Sequence, residues 1–235
     1  MTTDTNLVDL THLSPISPDE TASLMIITGD QYLLRYREKQ GAVAYKFISP
    51  AAVRAAFANE RIDSTWLPPS ARRWGMAKEG EWILLAHPPQ RYAVTFTGKE
   101  SNQVIQLQVP LPALAFIGYA QRYYVWAFPD SELRGETPLF AAPLPNVDAN
   151  GAICFGNNPV PKASAQTIAE AWQIFLTAPF SNHSMNGKSQ KYPDDVREQL
   201  LKLAERKRRR YPLDDLIPYR ANANQAIEWV LRGIR

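Results

Sequence analysis

The sequence predicts an α+β fold in which an antiparallel β-meander packs against helices. Two observations carry that reading. Between residues 81 and 128 the chain is rich in β-branched and aromatic residues in alternating runs, broken by Pro88-Pro89, Thr97-Gly98-Lys99 and Pro110-Leu111-Pro112. Beyond residue 164 the apolar positions recur at three- and four-residue steps instead, which is the helical period.

The elements follow in order. Residues 1–20 are polar, carry Ser14-Pro15 and Ser17-Pro18, and read as a disordered tail. Leu24-Met25-Ile26-Ile27 and Tyr32-Leu33-Leu34-Arg35-Tyr36 flank Gly29-Asp30 and predict a hairpin, with Val43–Phe47 as a third strand. Ser49-Pro50 then opens a helix through Phe57, because proline suits the first helical turn. The Trp66–Trp74 segment mixes aromatics and cations; packing by its tryptophans is favoured over a partner-docking surface. Four strands are predicted at Trp82–Ala86, Tyr92–Phe96, Val104–Val109 and Tyr123–Phe128. A helix capped by Ser164 carries Ile168, Ala171, Trp172 and Phe175 on one face and ends before Pro179. Val196, Leu200 and Leu203 line a later helix, with Asp194-Asp195 at its start and Arg206–Arg210 at its end, both complementing the helix dipole. Ala226–Leu231 is a last short helix. The expected organisation is a tail (1–20), a β/α extension (21–80), a core (81–180) and a C-terminal helical segment (181–235).

Composition narrows the class. At 235 residues and 45% hydrophobic content, the chain can bury a substantial core. No apolar run is long enough to span a bilayer and the N-terminus lacks a secretory pattern, so a cytoplasmic protein without membrane partners is expected. One cysteine excludes intrachain disulfides. No Cys/His cluster predicts zinc, no Gly-rich phosphate loop occurs, and no repeat is present. The basic run Arg206–Arg210 raises nucleic-acid binding by counterion release, yet the whole chain carries only +3. A solvated helix end is the simpler reading, and an acidic protein partner would fit the same patch.

The lone cysteine is the chief candidate for chemistry. Cys154 follows Asn146 by eight residues in the turn-rich run Leu144-Pro145-Asn146-Val147-Asp148-Ala149-Asn150-Gly151-Ala152-Ile153-Cys154. A cysteine thiolate is a strong nucleophile and a good leaving group, so it can take an acyl group as a thioester and pass it on. If the Pro145-Asn146 turn folds back over the thiol, the carboxamide can donate to the oxyanion formed on attack by an amine. Alone, these residues favour a small buried hydrophobe and a plain Asn-Gly turn.

The same run resembles the active-site segment of ubiquitin-conjugating (E2) enzymes, with Pro145, Asn146, Gly151, Ile153 and Cys154 at the family's spacing. Leu144 departs, standing where that family has histidine, and Lys162 stands where it has a loop tryptophan. Thr167-Ile168 match the opening of the helix after the cysteine, and Ser181–Gly187 lies where the family has a polar gate loop. At full length the chain resembles the prokaryotic E2-like family of PRTRC system protein B. The resemblance implies an E2-like fold with Cys154 as nucleophile, Asn146 as oxyanion donor, and His183 and Asn186 as gate-loop candidates. It implies a ubiquitin-like protein and an E1-like ThiF-family activator as partners, in a plasmid or mobile-element cassette, with no organic cofactor and no metal. Two alternatives stand beside the carrier: a non-catalytic adaptor, argued from Leu144, and a nucleic-acid-binding accessory, argued from the basic run. A cysteine hydrolase is disfavoured, since neither His87 nor His183 can be placed beside Cys154 from sequence.

Overall fold

The computed structural model describes residues 22–26, 32–57, 63–97, 104–129 and 132–233. The expected tail and the Gly29-Asp30 turn lie outside them. The chain divides into two compact units, Met1–Asp63 and Ser64–Arg235. In the first, β1 (Ala22–Ile26), β2 (Tyr32–Arg37) and β3 (Val43–Ile48) form an antiparallel sheet in that order. Helix α1 (Pro50–Phe57) follows, with the Ser49 hydroxyl accepting from the Ala52 N–H at 3.1 Å. Strands and helix stand where the apolar alternation and Ser49-Pro50 place them.

The second unit is built on strands β4 (Ala71–Ala77), β5 (Gly80–His87), β6 (Gln90–Thr97), β7 (Val104–Leu111), β8 (Ala113–Tyr119), β9 (Arg122–Phe128), β10 (Pro138–Ala141) and β11 (Pro218–Asn222). Six of them form one antiparallel sheet in the order β11-β10-β9-β8-β5-β4. Strands β6 and β7 pair only with each other, as a hairpin inserted between β5 and β8.

Side-chain alternation assigns each face of the large sheet its own helices. Ile83, Leu85, Leu114, Phe116, Tyr123 and Val125 turn to one side, where they pack with Ile168, Trp172 and Phe175 of α2 (Ile168–Thr177) and Leu200 and Leu203 of α3 (Val196–Glu205). Leu84, Ala86, Ala115, Ile117, Trp126 and Phe128 turn to the other, against Ala226, Ile227 and Val230 of α4 (Ala223–Arg232). The period of two in a strand thus fills two apolar layers from one sheet.

Polar groups close the helix ends. The Asp195 carboxylate caps α3 through the Arg197 N–H at 3.0 Å and forms a buried ion pair with the Arg197 guanidinium at 2.8 Å. Asn222 and Gln225 form a reciprocal capping box on α4. Between these helices the buried Asp215 carboxylate accepts from the Ser189 hydroxyl, the Lys191 N–H and the Tyr211 hydroxyl, at 2.8, 2.8 and 2.6 Å. Three donors on one anion tie residues 189–215 of the long connection together. Burial first, and the hydrogen bond to Asp215 second, push the Tyr211 hydroxyl pKa up.

Four local expectations change. The meander does not run through the strands at Tyr92–Phe96 and Val104–Val109, which form the separate hairpin; its place is taken by β8. All of β8, Ala-Leu-Ala-Phe-Ile-Gly-Tyr, is buried, so both faces are apolar and no alternation marks it. Helix α2 begins at Ile168, because Ser164 caps a preceding turn, its hydroxyl accepting from the Thr167 N–H at 3.2 Å. The C-terminal quarter is not wholly helical, since β11 closes the sheet. Tryptophan packing holds for Trp74, whose indole donates to Glu81 at 3.2 Å, but Trp66 is 95% exposed.

His87 supplies a test of this packing. Its ring stacks on Trp172 at 4.5 Å, and burial lowers its pKa from 6.5 to about 4. The unfolded chain therefore takes up the proton first, so this contribution to stability is full above about pH 6.5 and fades as the pH falls toward 4. The shift is worth up to about 3 kcal/mol. Urea unfolding should show wild type losing more stability than His87→Phe between pH 7 and pH 4; parallel losses would contradict the assignment.

Candidate functional site

The eight-residue spacing of Asn146 and Cys154 is the register of a small β-hairpin. The Asp148 N–H donates to the Ala152 carbonyl at 2.8 Å, Val147 and Ile153 form a bridge, and the Cys154 N–H donates to the Asn146 carbonyl at 2.8 Å. Asn146 and Cys154 are therefore cross-strand partners at the hairpin's open end. The turn is closed by Asp148, whose carboxylate accepts from the Asn150 and Ala152 N–H groups at 2.7 and 2.9 Å.

This hairpin is fastened to the large sheet. Beyond the end of β10, residues 151–153 take the next place beside β9: the Val125 N–H donates to the Gly151 carbonyl at 2.8 Å and the Ile153 N–H to the Tyr123 carbonyl at 2.9 Å. Gly151 is required there twice over. Its φ is +87°, and a Cβ would lie 2.5 Å from the Trp126 indole. The loop is thus held by backbone bonds on one side and an aromatic ring beneath, while Cys154 at its end is exposed.

Asn146 is engaged through its backbone and its side-chain oxygen, and only loosely through its side-chain nitrogen. It sits in the left-handed region at φ +59°, which asparagine tolerates. Its N–H donates to the His183 carbonyl at 2.9 Å, and its side-chain oxygen accepts from the Ser181 hydroxyl at 3.0 Å. Its side-chain nitrogen reaches the Pro179 carbonyl only at 3.5 Å, the long limit of a hydrogen bond, which leaves most of its donor capacity open. The Ser181 hydroxyl in turn accepts from the His183 N–H at 3.1 Å. The turn that carries the asparagine is therefore clamped by the segment after α2.

Leu144, where the resembled family has histidine, is fully buried in the core that faces α2. Apolar packing at Leu144 and the 179–183 clamp hold the turn that carries Asn146. His183 meets Asn146 through its backbone carbonyl, and its exposed imidazole is free of that bond. Asn186 is exposed beyond the positive-φ Ser184, and among the described residues no hydrogen bond joins it to Asn146 or Cys154. His87 lies in the α2 layer, stacked on Trp172. The basic run Arg206–Arg210 is exposed at the end of α3.

Two contributors are not legible as such in the sequence. Ser181 orients the Asn146 carboxamide, yet nothing distinguishes it from Ser184 in a polar loop. Lys188, in the same connection, is buried; desolvation lowers its amine to about pKa 8 while the Asp148 carboxylate opposes the shift. An exposed thiol opposite a fixed, donor-bearing carboxamide suits acyl exchange at sulfur followed by attack at the acyl carbon.

Residues 44–219, about three quarters of the chain, match the family described as prokaryotic E2 family D, and the chain belongs to that family. The match contains the whole hairpin, α2 and the clamp. A search of the curated proteins and a search of the solved structures find no match.

Gly151 gives the site its sharpest structural test. Gly151→Ala forces a Cβ into the Trp126 ring and strains a positive φ, so urea unfolding should show a loss of about 2 kcal/mol or more. An unchanged midpoint would show that the indole does not support the hairpin.

Proposed function

We propose that this protein is an E2-like carrier that accepts a ubiquitin-like protein as a thioester on Cys154 and transfers it to an amine or thiol acceptor. The observation that carries the reading is the exposed Cys154 thiol paired in register with Asn146. In the loading step the Cys154 thiolate attacks the acyl carbon of the activated modifier, forms the C–S bond and displaces the activator's thiolate. In discharge an acceptor amine attacks the same carbon, the C–S bond breaks, and Cys154 leaves as thiolate while the amine's proton passes to solvent. Asn146 donates to the oxyanion of that second step, where a preorganised donor is worth roughly 2.7–4 kcal/mol in comparable enzymes.

The activator expected is an E1-like ThiF-family protein, and the setting a plasmid or mobile-element cassette of the PRTRC kind. His183 and Asn186 are the gate-loop residues this reading assigns, and His183 joins the site through its backbone carbonyl on the Asn146 N–H. The hold on Asn146, which fixes a donor-bearing side chain in register with the exposed thiol, supports this reading over a non-catalytic adaptor.

Incubation with the cognate activator, the ubiquitin-like protein and ATP should give an adduct of one modifier per chain that reducing agent cleaves. Cys154→Ser should give at most a reductant-resistant oxyester, resolved by intact-mass measurement. A wild-type chain that binds the modifier but forms no adduct would favour the adaptor, and binding to nucleic acid alone would favour the role of the Arg206–Arg210 run.

A further inference from the structure

Among the described residues, strand β6 has a half-empty edge. It pairs with β7 on one side, and on the other Phe180 takes the place of a neighbouring strand: the Phe180 N–H donates to the Thr95 carbonyl at 2.7 Å and the Thr97 N–H to the Phe180 carbonyl at 3.1 Å. Backbone groups alternate between the two edges of a strand. Thr95 and Thr97 point away from β7, so Arg91 and Ala93 do too. Their register partners agree, because Arg91 stands opposite Pro110, which has no N–H to offer. The chain leaves this edge at Ala178, whose N–H turns back to the Ile174 carbonyl to close α2. No backbone bond among the described residues covers the outward groups of Ala93.

That vacant stretch opens on a cleft of about 560 Å3 between β6 and α2, lined by His87, Tyr92, Ala93, Thr95, Trp172 and Gln173 among others. Residues from both faces of β6 line it, so the cleft follows the strand's edge. Among the described residues three buried side-chain polar atoms lack a hydrogen-bond partner, and two of them, His87 Nε2 and Tyr92 Oη, belong to this wall. The Gln90 amide is close enough to affect the Tyr92 hydroxyl but makes no hydrogen bond of normal geometry to it. Native interiors leave few such atoms unpaired, so this wall is polar and incompletely bonded, although both atoms are themselves closed to solvent.

The lining also states the partner's chemistry. Gln90, Gln106, Gln173, Thr95 and Thr177 are uncharged hydrogen-bonding groups. The one cation, Arg91, already donates to the carbonyls of Arg208 and Gln108. Burial keeps His87 neutral at physiological pH. The lining holds no carboxylate for a basic segment, and the Arg91 guanidinium is directed to those two carbonyls.

We infer that the β6 edge is a docking site for an extended, uncharged polar peptide segment of a partner protein, which adds as a strand beside Arg91–Thr95 and hydrogen-bonds to the cleft wall. Strand addition draws affinity from main-chain bonds and selectivity from alternate side chains. The vacant stretch spans roughly 13 Å at the rise of a strand, room for about four residues. A docked segment lies end to end with Phe180, whose neighbours Pro179 and Ser181 hold Asn146, so the edge is in contact with the clamp on the candidate site. Docking itself does not depend on whether Cys154 carries an acyl group.

The test is selection of random phage-displayed heptapeptides on the full chain, followed by titration of the best peptide into 15N-labelled protein. Selected sequences should be rich in Thr, Ser, Asn, Gln and β-branched residues, and should shift the amides of Arg91, Ala93 and Thr95. Ala93→Pro removes an outward N–H that no sheet bond uses, so it should weaken the peptide at least tenfold while leaving the circular dichroism spectrum and Tm in place. N-methylation of alternate amides in the peptide, which leaves the protein untouched, should do the same. No enrichment over background, equal affinity for Ala93→Pro and wild type with N-methylation harmless, or shifts confined to other strands would overturn the inference.

Discussion

The candidate site depends on one register: Asn146 against Cys154, set by the hairpin between them and locked to β9. Hydrogen bonds through Asp148, Gly151 and Ile153 allow no slippage, because a shift of one residue would bring the Gly151 position out of its space over the Trp126 indole. The sheet below is equally committed. Strands β5, β8 and β9 are covered on both faces, so the platform that carries the hairpin is the most deeply buried part of the molecule.

A second constraint acts from the other side. The chain emerging from α2 is tied to β6 through Phe180 and to Asn146 through Pro179, Ser181 and His183. The carboxamide is held by a loop, the loop by a strand edge, and that edge remains half vacant. Leu144 completes the arrangement from beneath, supplying by apolar burial an anchor for the turn that owes nothing to a polar side chain at that position.

The sequence makes some of this visible and hides the rest for physical reasons. Spacing reveals the Asn146–Cys154 pair because a short hairpin translates residue count directly into contact. Alternation reveals β6, while richness in β-branched and aromatic residues reveals β5 and β9 although both their faces are covered. Strand β8 escapes because burial on both faces removes the polar positions that would mark it. Strand β4 escapes because Arg72-Arg73 sit in an edge strand that can afford charge. The role of Ser181 is invisible, since it depends on a contact 35 residues away along the chain. That β6 and β7 stand apart from the sheet is likewise a tertiary fact: their local pattern is that of any hairpin.

Loading and discharge make different demands on Asn146, and separating them tests the account at its centre. Thiol exchange starts from a thiolate and needs little added stabilisation, whereas amine attack builds an oxyanion that a fixed donor favours. The decisive measurement is single-turnover discharge of the loaded Asn146→Ala variant to free lysine, beside its rate of loading. The account predicts loading near the wild-type rate and discharge slower by roughly 10²-fold. Discharge at the wild-type rate would contradict the oxyanion role and leave Asn146 as a structural tie of the hairpin.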